Sequence, residues 1–102
     1  MKTVMVIEDQ EDMQALYKIL IRRIKGAELV AQIMDAEDAL PALQKIHPDL
    51  SIIDITLPGK NGIELAKESH ELYPQMKILI ATGHDPEAYY EDAIKAGAND
   101  FI

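Results

Sequence analysis

Three acidic residues and one hydroxyl stand at matching places along this chain. Glu8 and Asp9 follow the apolar run TVMVI at residues 3–7, Asp54 follows LSII at residues 50–53, and Thr82 follows KILIA at residues 77–81. Carboxylates brought together repel one another unless a proton or a cation lies between them. Oxygen ligands with no histidine or cysteine among them favour Mg²⁺ or Mn²⁺ over zinc. Each residue also has a plainer reading. An acidic pair ahead of a helix complements the helix dipole. An aspartate shortly before Pro58, Gly59 and Gly62 serves a turn, and a threonine is a common β-branched strand end. Position decides between these readings, so the elements that carry the four residues come next.

The three runs are short, apolar and rich in β-branched residues, the pattern of strands buried on both faces. Helical patterns lie between them. Residues 11–25 place Met13, Leu16, Tyr17, Leu20 and Ile24 at helical spacing, with Gly26 as the stop. A second strand is expected at 29–34, although Gln32 interrupts its apolar character. A second helix runs from Asp38, which leaves Pro41 in the first turn, to Ile46, where His47-Pro48 ends it. A third helix is expected at 62–72, and a fourth at 86–96 with Gly97 as its left-handed stop. Phe101-Ile102 opens a fifth strand. This alternation over short loops predicts an α/β domain spanning 1–102, a doubly wound parallel sheet with helices on both faces. All strand ends of such a sheet lie along one edge, where open parallel sheets bind their ligands. Glu8, Asp9, Asp54 and Thr82 would then share one crevice.

Composition narrows the function. The chain has 102 residues and no cysteine, so neither a disulfide framework nor a thiolate metal site is available, in keeping with a reducing cytoplasm. Eighteen acidic against ten basic side chains give a net charge of −8, a surface that repels phosphate backbones and argues against nucleic-acid binding by this segment. No apolar run approaches membrane-spanning length, and the N-terminus lacks the pattern of a signal peptide.

Four segments carry a resemblance over essentially the whole chain: VIEDQEDM, DLSIIDITLPGKNGIEL, ILIATGH and AIKAGANDFI. In order and spacing the chain resembles the receiver domains of two-component response regulators. The resemblance implies a flavodoxin-like fold with a five-stranded sheet. It makes Asp54 the acceptor of a phosphoryl group from a phosphohistidine on a sensor histidine kinase or phosphotransfer protein. It assigns Mg²⁺ (with Mn²⁺ as an alternative) to Asp9, Asp54 and the backbone carbonyl of Thr56, with Glu8 acting mainly through water. Thr82 becomes the switch hydroxyl and Phe101 the aromatic switch residue that follows its movement. Read without the resemblance, Phe101 is a core aromatic, His84 is a loop residue near the site, and His47 and His70 have no role. Tyr89-Tyr90 would belong to a partner surface.

The family's lysine, three residues after the aromatic position, would fall beyond Ile102 here, and so would the fifth helix. The expectation is therefore a receiver truncated in its fifth strand, part of a longer protein with a C-terminal output domain. Apolar surface beside the first helix should be uncovered, or covered by a second copy in a dimer. The alternative is a pseudo-receiver that acts only as a protein-interaction module. An enzyme turning over an external substrate is not expected: a phosphatase of the haloacid dehalogenase type places a general acid two residues after its aspartate, and position 56 is Thr. The chain also lacks a G-x-G-x-x-G after its first strand, and PGKNG lacks the remaining features of a P-loop.

Overall fold

The computed structural model describes residues 1–57, 61–81 and 86–101, with side chains described for all of these except 86–88 and 101. Strands β1 (Lys2–Ile7), β2 (Ala27–Ile33), β3 (Leu50–Asp54), β4 (Lys77–Ala81) and the two-residue β5 (Asp100–Phe101) alternate with helices α1 (Glu11–Arg22), α2 (Ala39–Ile46), α3 (Gly62–Leu72) and α4 (Pro86–Lys95). Every pairing is parallel, in the order β2-β1-β3-β4-β5. The sheet thus has four full strands and a fifth reduced to one pair of rungs. Asp100 lies level with Leu79 and Phe101 with Ile80, so that strand begins one residue before the sequence-based start.

Side chains alternate across the pleat, and both sheet faces are apolar. Met5, Ile7, Ile53, Ile78 and Ile80 point to one side and pack with Ala39 and Leu43 of α2, Leu65 and Ala66 of α3, and Ala93 of α4. Val4, Val6, Ile52 and Ala81 take the other side, where α1 supplies Ile21 and the half-buried Tyr17. Only α1 lies on this second face among the described helices. A groove of about 650 Å³ therefore opens beside it, lined by Val4, Ile21, Ile24, Leu50, Ile52 and Leu79. Leu16, Ile19, Leu20 and Ile24 are exposed along the same helix and its C-terminal turn. The apolar surface expected beside the first helix is present.

Several element boundaries differ from expectation by one to three residues, and some of the differences have a clear local reason. Helix α1 ends at Arg22 rather than at residue 25. Its last hydrogen bonds tighten to a three-residue spacing, from Arg23 N–H to Leu20 O and from Ile24 N–H to Ile21 O. Gly26 then turns the chain at φ +83°, and its carbonyl accepts from Lys2 N–H as β2 starts at Ala27. Gln32 belongs to β2, level with Val6, because its amide has partners on α1. Asp54 is the last residue of β3, level with Ala81, rather than the first residue after the strand.

Candidate functional site

Strand order determines which residues can meet. β3 lies between β1 and β4, with Ile7 level with Ile53 and Asp54 level with Ala81. The chain leaving β1 therefore delivers Glu8 and Asp9 beside Asp54. Each of the three offers a carboxylate oxygen, and these oxygens lie within 4.8 Å of one another. The cluster is largely removed from water: Glu8 is 5% exposed and Asp54 9% exposed, with Asp9 half-buried.

Such crowding has an electrostatic consequence. Burial pushes the Glu8 carboxyl from its ordinary 4.5 up to about 7. The charge of Asp54 and the contacts with Asp9 and Asp54 push the same way, while the Gln10 N–H, donating to Glu8 Oε2 at 3.1 Å, opposes them. The site thus retains a proton into the neutral range. A hard divalent cation would relieve the same repulsion, and three oxygen donors at this spacing fit one. Tyr17 on α1 is close enough to respond: burial raises its hydroxyl pKa, with the charges of Glu8 and Asp54 adding to the effect.

The β3–α3 connection holds Asp54 from its other side. The N–H and hydroxyl of Thr56 face its carboxylate, at 3.3 Å from Oδ1 and 3.3 Å from Oδ2 respectively. Gly62 N–H donates to Ile55 O at 2.8 Å, and Asn61 caps α3 by accepting from Glu64 N–H at 2.9 Å. This closure brings Gly62 against the strand itself. A Cβ there would collide with Asp54 O and approach Ile55 Cα to 2.8 Å, so only glycine fits without movement of the backbone that carries Asp54.

Of the residues singled out by sequence, Glu8, Asp9 and Asp54 are brought together, and Thr56 faces Asp54 with its N–H and hydroxyl. Thr82 lies outside the described residues, as do Pro58, Gly59 and His84. Phe101 is described by its backbone alone, paired with Ile80 in β5.

A family model described as the response regulator receiver domain matches residues 4–102. The chain belongs to the response regulator receiver domain family. The receiver is 33% identical over 101 residues to the chemotaxis protein CheY of Thermotoga maritima, a match that covers 99% of this chain and 83% of that protein. It is 29% identical over 99 residues to the transcriptional regulatory protein DegU of Brevibacillus brevis, and spans 42% of that protein's length. Among solved structures it superposes on a LuxR-family two-component response regulator from Aurantimonas sp. SI85-9A1 with a TM-score of 0.92 at 32% identity, covering 98% of this chain and 71% of that one.

Two residues near the site carry a role that the sequence reading does not assign: Gln14, and Gln32, which reads there only as an interruption of a strand. Gln14 is 5% exposed on α1, with its side-chain amide turned to the ends of β1 and β2. Gln32 partners it from β2. A polar residue three and seven positions before Tyr17 and Ile21, on the stripe that meets the sheet, was the available signal.

Proposed function

We propose that this receiver accepts a phosphoryl group on Asp54. An Asp54 carboxylate oxygen attacks the phosphorus of a phosphohistidine on a sensor histidine kinase or phosphotransfer protein. The new O–P bond forms as the P–N bond breaks, and the departing imidazole keeps the electron pair. Asp9, Asp54 and the Thr56 backbone carbonyl are the groups that would hold Mg²⁺, or Mn²⁺ in its place, with Glu8 acting mainly through a bound water. When bound, the ion neutralises charge on the oxygens of the transferring group. Burial of Glu8 and Asp54 lowers the local dielectric and strengthens that neutralisation. Thr82 would donate its hydroxyl to a phosphoryl oxygen, and Phe101 would respond to that movement, a local charge event biasing a two-state element.

The observation that carries this reading is the convergence of three carboxylate oxygens within 4.8 Å at the C-terminal edge of a parallel sheet, around an aspartate supplied by its central strand. Family membership agrees with it. The chain is read as the receiver portion of a longer cytoplasmic protein with an output domain, since it spans only part of relatives such as DegU. The apolar groove beside α1 would take a further helix of that longer chain or, failing that, a second copy.

Intact-mass analysis after incubation with acetyl phosphate tests the proposal, on this chain and on Asp54→Ala, with and without Mg²⁺. A single added phosphoryl group that requires both Asp54 and Mg²⁺ is the expected outcome. No adduct on the folded parent chain would leave either the missing lysine-bearing segment or a pseudo-receiver that only binds partners, and the same assay on a chain extended through that lysine decides between them.

A further inference from the structure

The β1–α1 connection that carries Glu8 and Asp9 is held by a side chain outside the acidic cluster. Gln14 Nε2 donates to the carbonyls of Glu8 and Ile33, each at 3.0 Å, and reaches that of Val6 at 3.3 Å. Its orientation is set from the opposite side. Gln32 Nε2 donates to Gln14 Oε1 at 2.8 Å and to the Gln14 carbonyl at 2.7 Å, so the oxygen of the Gln14 amide faces β2 and its N–H groups face the strand ends. Ile33 O also accepts from Glu8 N–H at 2.9 Å. Glu8 is therefore fixed at its N–H by β2 and at its C=O by Gln14. A peptide unit is planar, so holding Glu8 O also orients the N–H of Asp9 and, through it, the start of the Asp9 residue. The two carboxylates that face Asp54 leave a backbone held in this way.

We propose that Gln14, locked by Gln32, is a positioning residue that fixes the Glu8–Asp9 peptide so that both carboxylates face Asp54 in the arrangement a divalent cation requires. This rests on the reading of the acidic cluster as a Mg²⁺ site. The glutamine does not touch the cluster's ligand oxygens; it acts through the main chain that carries them. Groups that orient metal ligands from outside typically alter affinity by about ten-fold or more when removed.

Gln14→Met keeps the size of the side chain and removes every donor. Gln32→Ala leaves Gln14 in place and removes its lock; because Gln32 is exposed, this variant keeps the test available if Gln14→Met fails to fold. Mg²⁺ binding is measured by titration calorimetry on the folded parent and variants, with Asp54→Ala as the site control. Amide exchange is measured on the metal-free proteins. Gln14→Met is expected to weaken Mg²⁺ binding about ten-fold, and Gln32→Ala to weaken it less. The double variant should be no weaker than Gln14→Met alone, because the lock has nothing left to hold. The Glu8 amide should exchange faster in the variants while the Ile53 amide in β3 is unchanged. Unaltered Mg²⁺ affinity in a folded variant, with only the melting temperature lowered, overturns the positioning role and leaves Gln14 as a buried polar group that stabilises the fold. A parent chain that binds no Mg²⁺, or whose binding survives Asp54→Ala, overturns the metal-site reading and the positioning role with it.

Discussion

Glu8 keeps its proton into the neutral range because burial and the adjacent Asp54 disfavour its charged form. The sign of the resulting pH dependence follows from linkage. The folded carboxyl has a pKa of about 7 against an ordinary 4.5, so between those values the folded chain binds more protons than the unfolded one. The Glu8 contribution to stability is complete below 4.5 and is lost as the pH rises through about 7. Without divalent cations, the melting temperature should fall as the pH is raised from 5 to 8, and Glu8→Gln should flatten the curve. A parent and a Glu8→Gln variant with parallel curves would rule out this origin. Asp49 acts outside that window: hydrogen bonds from Thr3 hold its carboxyl below the usual 3.8, so its contribution is present above that value and disappears only in acid. Because protons and cations compete for the same oxygens, Mg²⁺ should raise the melting temperature more at pH 8 than at pH 5.5. Gly62 gives a second residue-scale prediction. Any Cβ there meets the main chain of Asp54 and Ile55, which no rotamer change relieves. Gly62→Ala should cost about 1–3 kcal/mol in denaturant unfolding and should slow acetyl phosphate labelling of Asp54. Unchanged stability would mean that the β3–α3 connection moves aside easily.

Helix α1 separates residues that look alike in the sequence. Ile21 is 5% exposed against the sheet while its neighbour Leu20 is 47% exposed. Ile21→Ala should therefore cost about 2–4 kcal/mol, the range for a buried aliphatic truncation, whereas Leu20→Lys should change stability by less than about 0.5 kcal/mol in this chain. Chemical denaturation of the two variants checks both. Equal effects would place the helix in a different rotation about its axis. The same helix shows what was legible beforehand. The strands were readable because both sheet faces are apolar, so 50–53 and 77–81 read as nearly continuous hydrophobic runs, broken only by Ser51 and opened by Lys77. The convergence of Glu8, Asp9 and Asp54 followed from parallel topology alone. The α1 stripe of Met13, Leu16, Tyr17, Leu20 and Ile24 holds only in part: Tyr17 is half-buried on the sheet side with Gln14 and Ile21, whereas Leu16, Leu20 and Ile24 are exposed. Apolar periodicity identifies a helix but does not distinguish a face on the sheet from one bordering an open groove. Gln14 is assigned no role from sequence, and Gln32 reads there only as an interruption of a strand, for a related reason. A buried amide is valuable only where unpaired carbonyls await it, and those carbonyls exist only once β1 and β2 lie side by side. Gly62 looked like an ordinary turn former because a close approach to a strand leaves no local mark in sequence.

On the scale of the whole molecule, the two faces of the sheet are treated unequally. One is covered by α2, α3 and α4, while the other has α1 and a groove of about 650 Å³ bordered by Val4, Ile52 and Leu79. An apolar surface of this extent, beside a helix that also exposes Leu16, Ile19 and Leu20, favours association with whatever apolar face reaches it first. The net charge of −8 opposes indiscriminate association by keeping copies apart at low salt. A longer chain carrying the rest of the fifth strand and one further amphipathic helix would place such a face beside the groove at high effective concentration. That chain should melt higher by more than about 5 °C, since each kcal/mol of added stability shifts a domain of this size by several degrees. It should also make position 20 sensitive: Leu20→Lys, near-neutral in the 102-residue chain, should become clearly destabilising once the groove is covered. If a second copy fills the groove instead, the melting temperature of the shorter chain should rise with protein concentration and with salt, and Leu20→Lys should abolish that dependence. Equal melting temperatures for both lengths, with no dependence on concentration and no effect of Leu20→Lys in either, would mean that the groove stays open to water, its apolar lining too shallow to reward a cover.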